Sequence, residues 1–255
     1  MLRLTIFLLL LTMGVAVRPA DGYELTGYKW PQSAPGASIT LTYSYSNLLD
    51  GRLLDSNNVP VPASLIRASV QEAMSVWAAV APLNFVEVPD VGPPPSNAEY
   101  HVGPNDPRIR LGHLFIDGFG SFKAFGYYPY GTTLGLPGDI HFDDSDRWNP
   151  IGTLTYPDLL GAAEHELGHS LGLDHSLLNT AVMFPTFLRM QGLGTGHLTE
   201  DDIAGVRAIY GAGKGSVTPL PEPASLVLVG FAISVVLATR LRAYKRTLSR
   251  RERAG

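Results

Sequence analysis

The sequence predicts an α+β domain with three helices, on three observations. Residues 39 to 45, ITLTYSY, alternate apolar and polar with the period of a half-buried strand. Three later stretches fit helices, by apolar spacing or by start and stop signals. The strands come first and the helices are partly interleaved with them, within a body of about 190 residues, an ordinary size for one domain.

Taken in order, the elements justify themselves locally. From Pro62 to Ala81, the residues Leu65, Ile66, Val70, Ala73, Val76 and Trp77 recur at helical spacing, with Trp77 expected in the core. Phe85 to Val88 and Tyr100 to Val102 are short strand candidates, separated by a proline-rich loop over 90–97. Between Leu111 and Asp146 the chain is rich in glycine and aromatics. Loops are expected there, with one or two short strands, including Asp139 to Phe142. Pro157 to Leu171 reads as the second helix. The third starts at Thr199, an N-cap followed by Glu200, Asp201 and Asp202 in the first turn, and stops at Gly211. Ile203, Val206 and Tyr210 give it one apolar face.

Composition narrows the function. The 255 residues are 45% hydrophobic and 16% charged, and contain no cysteine, so disulfides, thiolate ligands and a thiol nucleophile are excluded. From Tyr23 to Pro223 there are 10 Lys and Arg against 21 Asp and Glu. That acidity argues against nucleic acid, whose phosphates need basic partners, and suits carboxylates that hold cations.

Both ends read as addresses. Residues 1–22 resemble a signal peptide: Arg3, then the apolar run Leu4 to Val17, then small residues ending at Gly22, with cleavage expected there. An uncut N-terminal anchor is the alternative. The domain is expected over 23–212 and a linker over 213–220. In 221–255, Pro221-Glu222-Pro223 precedes an apolar run, Ala224 to Thr239, and a basic tail with Arg240, Arg242, Lys245 and Arg246. This three-part pattern resembles the PEP-CTERM sorting signal of Gram-negative bacteria. The resemblance implies a transmembrane helix as a transient inner-membrane anchor, an exosortase-like processing enzyme, and a final place at the cell surface or in the extracellular matrix. A plain membrane anchor is the other reading.

The chemistry concentrates in HELGHSLGLDH, residues 165–175. Positions four apart lie on one helix face, so His165 and His169 point the same way. Glu166 sits on the same rim, placed to contact a water rather than the metal. Gly172 permits a sharp turn at the helix end, which returns His175 as a third ligand. Three nitrogen ligands and one open position suit a catalytic zinc, with Glu166 as the base for its water. A zinc site that binds without cutting stays open as a rival, as does a helix with spare histidines.

HELGHSLGLDH resembles the metzincin zinc motif, and Ser176 after the third histidine is similar to matrixins, the matrix-metalloproteinase group. TAVMFP, residues 180–185, resembles their Met-turn, with Met183 beneath the zinc. LTEDDI, 198–203, is similar to the start of their last helix, and Tyr28-Lys29-Trp30 to the approach to their first strand. The resemblance implies a metzincin-like zincin fold: a twisted, mostly parallel sheet with an antiparallel edge strand and three helices. It implies a zinc endopeptidase acting as a monomer on peptide or protein substrates. The peptide would lie along an edge strand near Ser121 to Phe125, with Pro185 and Phe187 lining the specificity pocket. A hydrolase for another amide is a further rival.

The resemblance also implies a structural calcium. Carboxylates of Asp117, Asp143 and Asp146 with carbonyls of Gly118, Gly120 and Phe122 would supply six oxygens; a surface acidic turn is the alternative. The family's second, structural zinc does not carry over. Of its ligands only His141 matches, and Arg110, Gly112 and Phe125 stand at the others. One zinc is therefore expected. His101, His113 and His197 read as ordinary histidines. Matrixins are typically silenced by a propeptide cysteine, and no cysteine exists here to do so.

Overall fold

The computed structural model describes residues 22–90, 92, 95, 107–120, 122–129, 136–149, 158–185 and 198–221. The chain divides into two units, 1–218 and 219–255, and the following concerns the first. Residues 1–21 and 222–255 lie outside the described residues, and with them nearly all of the two address segments. Among the described residues no helix is long and apolar enough to cross a membrane.

Among the described residues, the first unit holds a six-stranded sheet and three helices. In chain order these are β1 (Ile39–Tyr45), α1 (Ala63–Ala78), β2 (Leu83–Glu87), β3 (Ile109–Leu114), β4 (Ala124–Gly126), β5 (Ile140–Asp143), α2 (Leu159–Ser170), α3 (Glu200–Tyr210) and β6 (Ser216–Thr218). The strand order is β4-β5-β3-β1-β2-β6. Every pairing is parallel except β4 with β5, so the sheet is mostly parallel with one antiparallel edge strand. The α+β class and the three helices are as the sequence predicts.

The core explains why α2 lies where it does. In α1, Ile66, Val70, Ala73, Met74 and Trp77 form one buried face. Trp77 donates its indole N–H to the Glu164 carbonyl at 3.0 Å, which couples α1 to the middle of α2. Helix α2 packs in turn on α1, β4 and β5, and therefore runs alongside the edge strand. At its far end, Trp30 donates to the Ser170 carbonyl at 2.8 Å, and the Tyr210 hydroxyl of α3 donates to the Leu171 carbonyl at 2.8 Å. Two carbonyls that the helix cannot satisfy itself are thus taken up by aromatic side chains.

Several expectations change. Residues 109–114, placed at the edge of a loop region, form the buried strand β3. Its Arg110, Gly112 and His113 disguise it, since a strand with polar residues on its buried side lacks the apolar run that marks one. The expected linker over 213–220 contains β6, which pairs with β2 through Asn84, Phe85 and Val86. Tyr28 to Trp30, expected at the entry to the first strand, precede β1, which begins at Ile39. Tyr100 to Val102 and Ser121 fall outside the described residues.

The Tyr210 hydroxyl also accepts the Trp30 backbone N–H at 3.2 Å. Tyr210→Phe leaves both buried partners without it. The expected cost is about 1–3 kcal/mol, read as a lower urea midpoint with an unchanged denaturant slope.

Candidate metal centre

Helix α2 begins where the Asp158 carboxylate accepts the Leu160 N–H at 3.1 Å. From there, the four-residue spacing stacks His165 and His169, both buried, with ring centroids 4.8 Å apart. The helix ends in a Schellman turn. The Leu173 N–H returns to the Gly168 carbonyl at 3.0 Å and the Gly172 N–H to that of His169 at 2.9 Å. Gly172 takes φ +101°, and a Cβ there would strike the Tyr28 carbonyl. The reversal brings the His175 ring to 5.3 Å from His165 and 4.8 Å from His169. One nitrogen from each of the three lies within 4.8 Å of the others. Among the described residues no other His, Asp or Glu group converges in this way.

The surroundings orient these rings. His165 Nδ1 lies 2.7 Å from the Val182 carbonyl, and His169 Nδ1 lies 2.9 Å from that of Leu173. An imidazole that donates Nδ1–H keeps Nε2 free as the ligand atom. Burial, then each other's charge, pushes His165 down to about 3; burial pushes His169 down to about 4 and lowers His175. All three are thus neutral at neutral pH, the form that binds a metal. The donor set, its tautomers and its open geometry fit zinc.

Glu166 is buried beside them. Burial pushes its carboxyl up to about 8, opposed by the backbone N–H of Gly126 on β4. Tyr128 donates to Asp174 at 3.3 Å and packs its ring edge on His169. Met183 is buried, and packs so close to Gly168 that a Cβ there would strike its sulfur. Pro185 is exposed, and Phe187 falls outside the described residues.

Two acids matter more than their sequence reading implies. Asp202 does form the expected cap with Thr199, at 2.8 and 2.6 Å. It also accepts the N–H groups of Val182 and Met183, both at 3.0 Å, and so holds the turn beneath the helix. Asp201 accepts from Gly22 at 2.7 Å, Tyr23 at 2.9 Å and the Ser176 hydroxyl at 2.6 Å. The tandem acids were visible as helix-start residues; their distant partners were not.

The remaining expected ligands are arranged differently. The Asp117 N–H donates to Asp143 at 3.3 Å, that of Phe122 to Asp117 at 3.2 Å, and that of Gly120 to Asp146 at 3.1 Å. Asp146 forms an ion pair with Lys123. A divalent ion about 4 Å from that ammonium would be opposed by about 8 kcal/mol at an effective dielectric of about 20. Asp146 thus already meets a cation of this chain through one oxygen, while its other oxygen is buried without a hydrogen-bond partner among the described residues. Arg110, on β3, grips Asp90 through two hydrogen bonds of 2.9 and 2.8 Å and donates to Ser46 at 2.8 Å. His113 sits between Asp144 at 3.0 Å and Asp50 at 3.1 Å. His101 and His197 fall outside the described residues.

Comparison with known proteins agrees with this geometry. The matrixin family model, of the M10 peptidases, matches residues 42–211. The chain belongs to the matrixin family. It is 34% identical over 168 residues to stromelysin-1 of Mus musculus, covering 66% of this chain and 32% of that protein. To the hatching enzyme of Paracentrotus lividus it is 34% identical over 196 residues, covering 74% and 27%. To matrix metalloproteinase-16 of Homo sapiens it is 34% identical over 201 residues, covering 74% and 28%. The chain thus spans about a third or less of the length of these matrixins.

Two outcomes follow for this matrixin. Gly172→Ala, with a strained φ and a clash, is expected to misplace His175. Zinc affinity should fall by about tenfold or more, for a strain of roughly 1–3 kcal/mol, in competition with a chelating dye. The second concerns Asp139, pushed up to about 7 by burial, chiefly against the Arg110 N–H. His141, 3.9 Å away, is pushed down to about 4 by burial and then by Arg110, so the two are not an ion pair. The folded Asp139 holds a proton that the unfolded chain loses from about pH 4. Its contribution to stability is therefore full below about pH 4 and is lost as pH rises toward about 7. Asp139→Asn should match the parent in melting temperature near pH 4 and exceed it by several degrees at pH 8.

Proposed function

We propose that this chain is an exported zinc endopeptidase, with His165, His169 and His175 as the metal ligands and Glu166 as the base. What carries the reading is the meeting of three neutral imidazoles with a buried carboxyl, beside the sheet's terminal strand. An extended peptide adds to such an edge by main-chain hydrogen bonds. Strand β4 is the edge in question, and its Gly126 N–H already faces Glu166.

The chemistry that a bound zinc supplies is Lewis acidity toward the carbonyl oxygen and a water pKa lowered to about 7. Glu166 does the proton work. It takes a proton from the attacking water and returns it to the leaving amine nitrogen. Burial alone holds the proton on Glu166 at neutral pH, and a neighbouring cation would favour the ionised form that a base needs. Tyr128 and Asp174 steady the rings of the ligand set, and Asp202 fixes the turn that receives His165. Pro185 and Phe187 are proposed to line the pocket for the side chain beyond the scissile bond.

Export rests on the apolar N-terminal segment, and sorting on the Pro-Glu-Pro pattern with its apolar and basic stretches. A transient membrane anchor, an exosortase-like processing enzyme and a final bacterial surface location belong to this proposal. So does action as a monomer on peptide or protein substrates, with no role for nucleic acid.

The test compares purified parent and Glu166→Ala for zinc per chain and for cleavage of a mixed peptide library. One zinc is expected in both, with cleavage reduced by roughly 10²–10⁴-fold in the variant. Undiminished cleavage by Glu166→Ala would sink the assignment, and zinc without cleavage in either would favour a binding protein.

A further inference from the structure

The acidic loop beside β4 has its cation built in. Lys123 precedes β4, and its carbonyl accepts the Asp143 N–H at 2.7 Å, which fixes it against the end of β5. Its side chain is only 8% exposed, and the Asp146 side chain it meets is 0% exposed. The same Asp146 oxygen also accepts the Gly120 N–H. Phe119 lies across the outside, with the ammonium 5.3 Å from its ring centroid, a cation–π distance. Lysine is almost never buried unless paired, so its position here is a committed one.

The loop's own N–H groups point the same way. Those of Asp117, Gly120 and Phe122 are spent on carboxylates within the loop. N–H donors and one ammonium meet Asp117, Asp143 and one oxygen of Asp146, and the other Asp146 oxygen is buried without a hydrogen-bond partner among the described residues. A second position repeats the pattern. Arg110 stands where the resemblance puts a ligand of the structural zinc, and its guanidinium is closed by Asp90 and Ser46. Arginine forks suit carboxylates in this two-bonded way.

We propose that the Lys123 ammonium replaces the calcium that the resemblance assigns to Asp117, Asp143 and Asp146. This loop then stands without a divalent ion among its described residues. The edge strand β4 keeps its shape where free calcium is scarce, because its counter-charge is covalently attached.

The test is thermal, so it holds whether or not the chain cuts peptides. The full-length parent and Lys123→Met are melted in calcium-depleted buffer with zinc supplied, then with rising millimolar calcium. The parent's melting temperature should not move. Lys123→Met should melt several degrees lower without calcium and regain that loss as calcium is added. A parent that rises with calcium, or a variant as stable as the parent without it, overturns the proposal. If Lys123→Met fails to fold, radioactive calcium binding to the parent decides: none supports the ammonium, and one bound per chain overturns it.

Discussion

A straight helix can aim only two of these three imidazoles at one point, because four-residue spacing leaves the next face turned away. The third must arrive from outside the helix, and the whole metal centre depends on the reversal that brings it. That reversal is the left-handed Gly172, packed against the Tyr28 carbonyl. Around it lies an isolated antiparallel bridge between Leu25 and Leu173: the Thr26 N–H meets the Gly172 carbonyl at 3.1 Å and that of Asp174 meets Glu24 at 2.9 Å, and further on that of Leu177 meets Gly22 at 2.8 Å. The turn is therefore held to the segment that precedes β1. A ligand loop fixed before the metal arrives leaves less ordering for binding to accomplish.

Charge burial is the second theme. Arg110, His113, Lys123, Glu164 and Glu166 are all buried in this domain, together with several aspartates. The three basic side chains among them each have a named acid within hydrogen-bond reach, so they are satisfied inside the protein. Glu166 is different. Its described opposing partner is a single backbone N–H, and burial has lifted its proton affinity.

The sequence made much of this legible. Eleven consecutive residues carried the three histidines, the turn and Glu166, because helix spacing and a positive-φ glycine are local matters. Strand β1, the face of α1 and the cap at Thr199 were readable for the same reason. What escaped was non-local. Strand β3 was hidden because Arg110 and His113 look like loop residues until Asp90, Asp50 and Asp144 are beside them. Strand β6, three residues long, has no pattern of its own and exists only on the edge of β2. Asp201 and Asp202 announced a helix start, yet their second duty is to segments that no window around them contains. Lys123 carries no local signal, and its meaning came only from Asp146.

The distance along the chain between Gly22 and Asp201 has a consequence for how the domain is made. These two residues are 179 positions apart, and the loop after His175 is tied to both. Contacts of such span form late, since long loops must close before they are rewarded. During synthesis the α2 histidines emerge well before α3, so a nascent chain has its ligands in sequence but not in place. The turn beneath the three histidines is fully bonded only when the last helix docks.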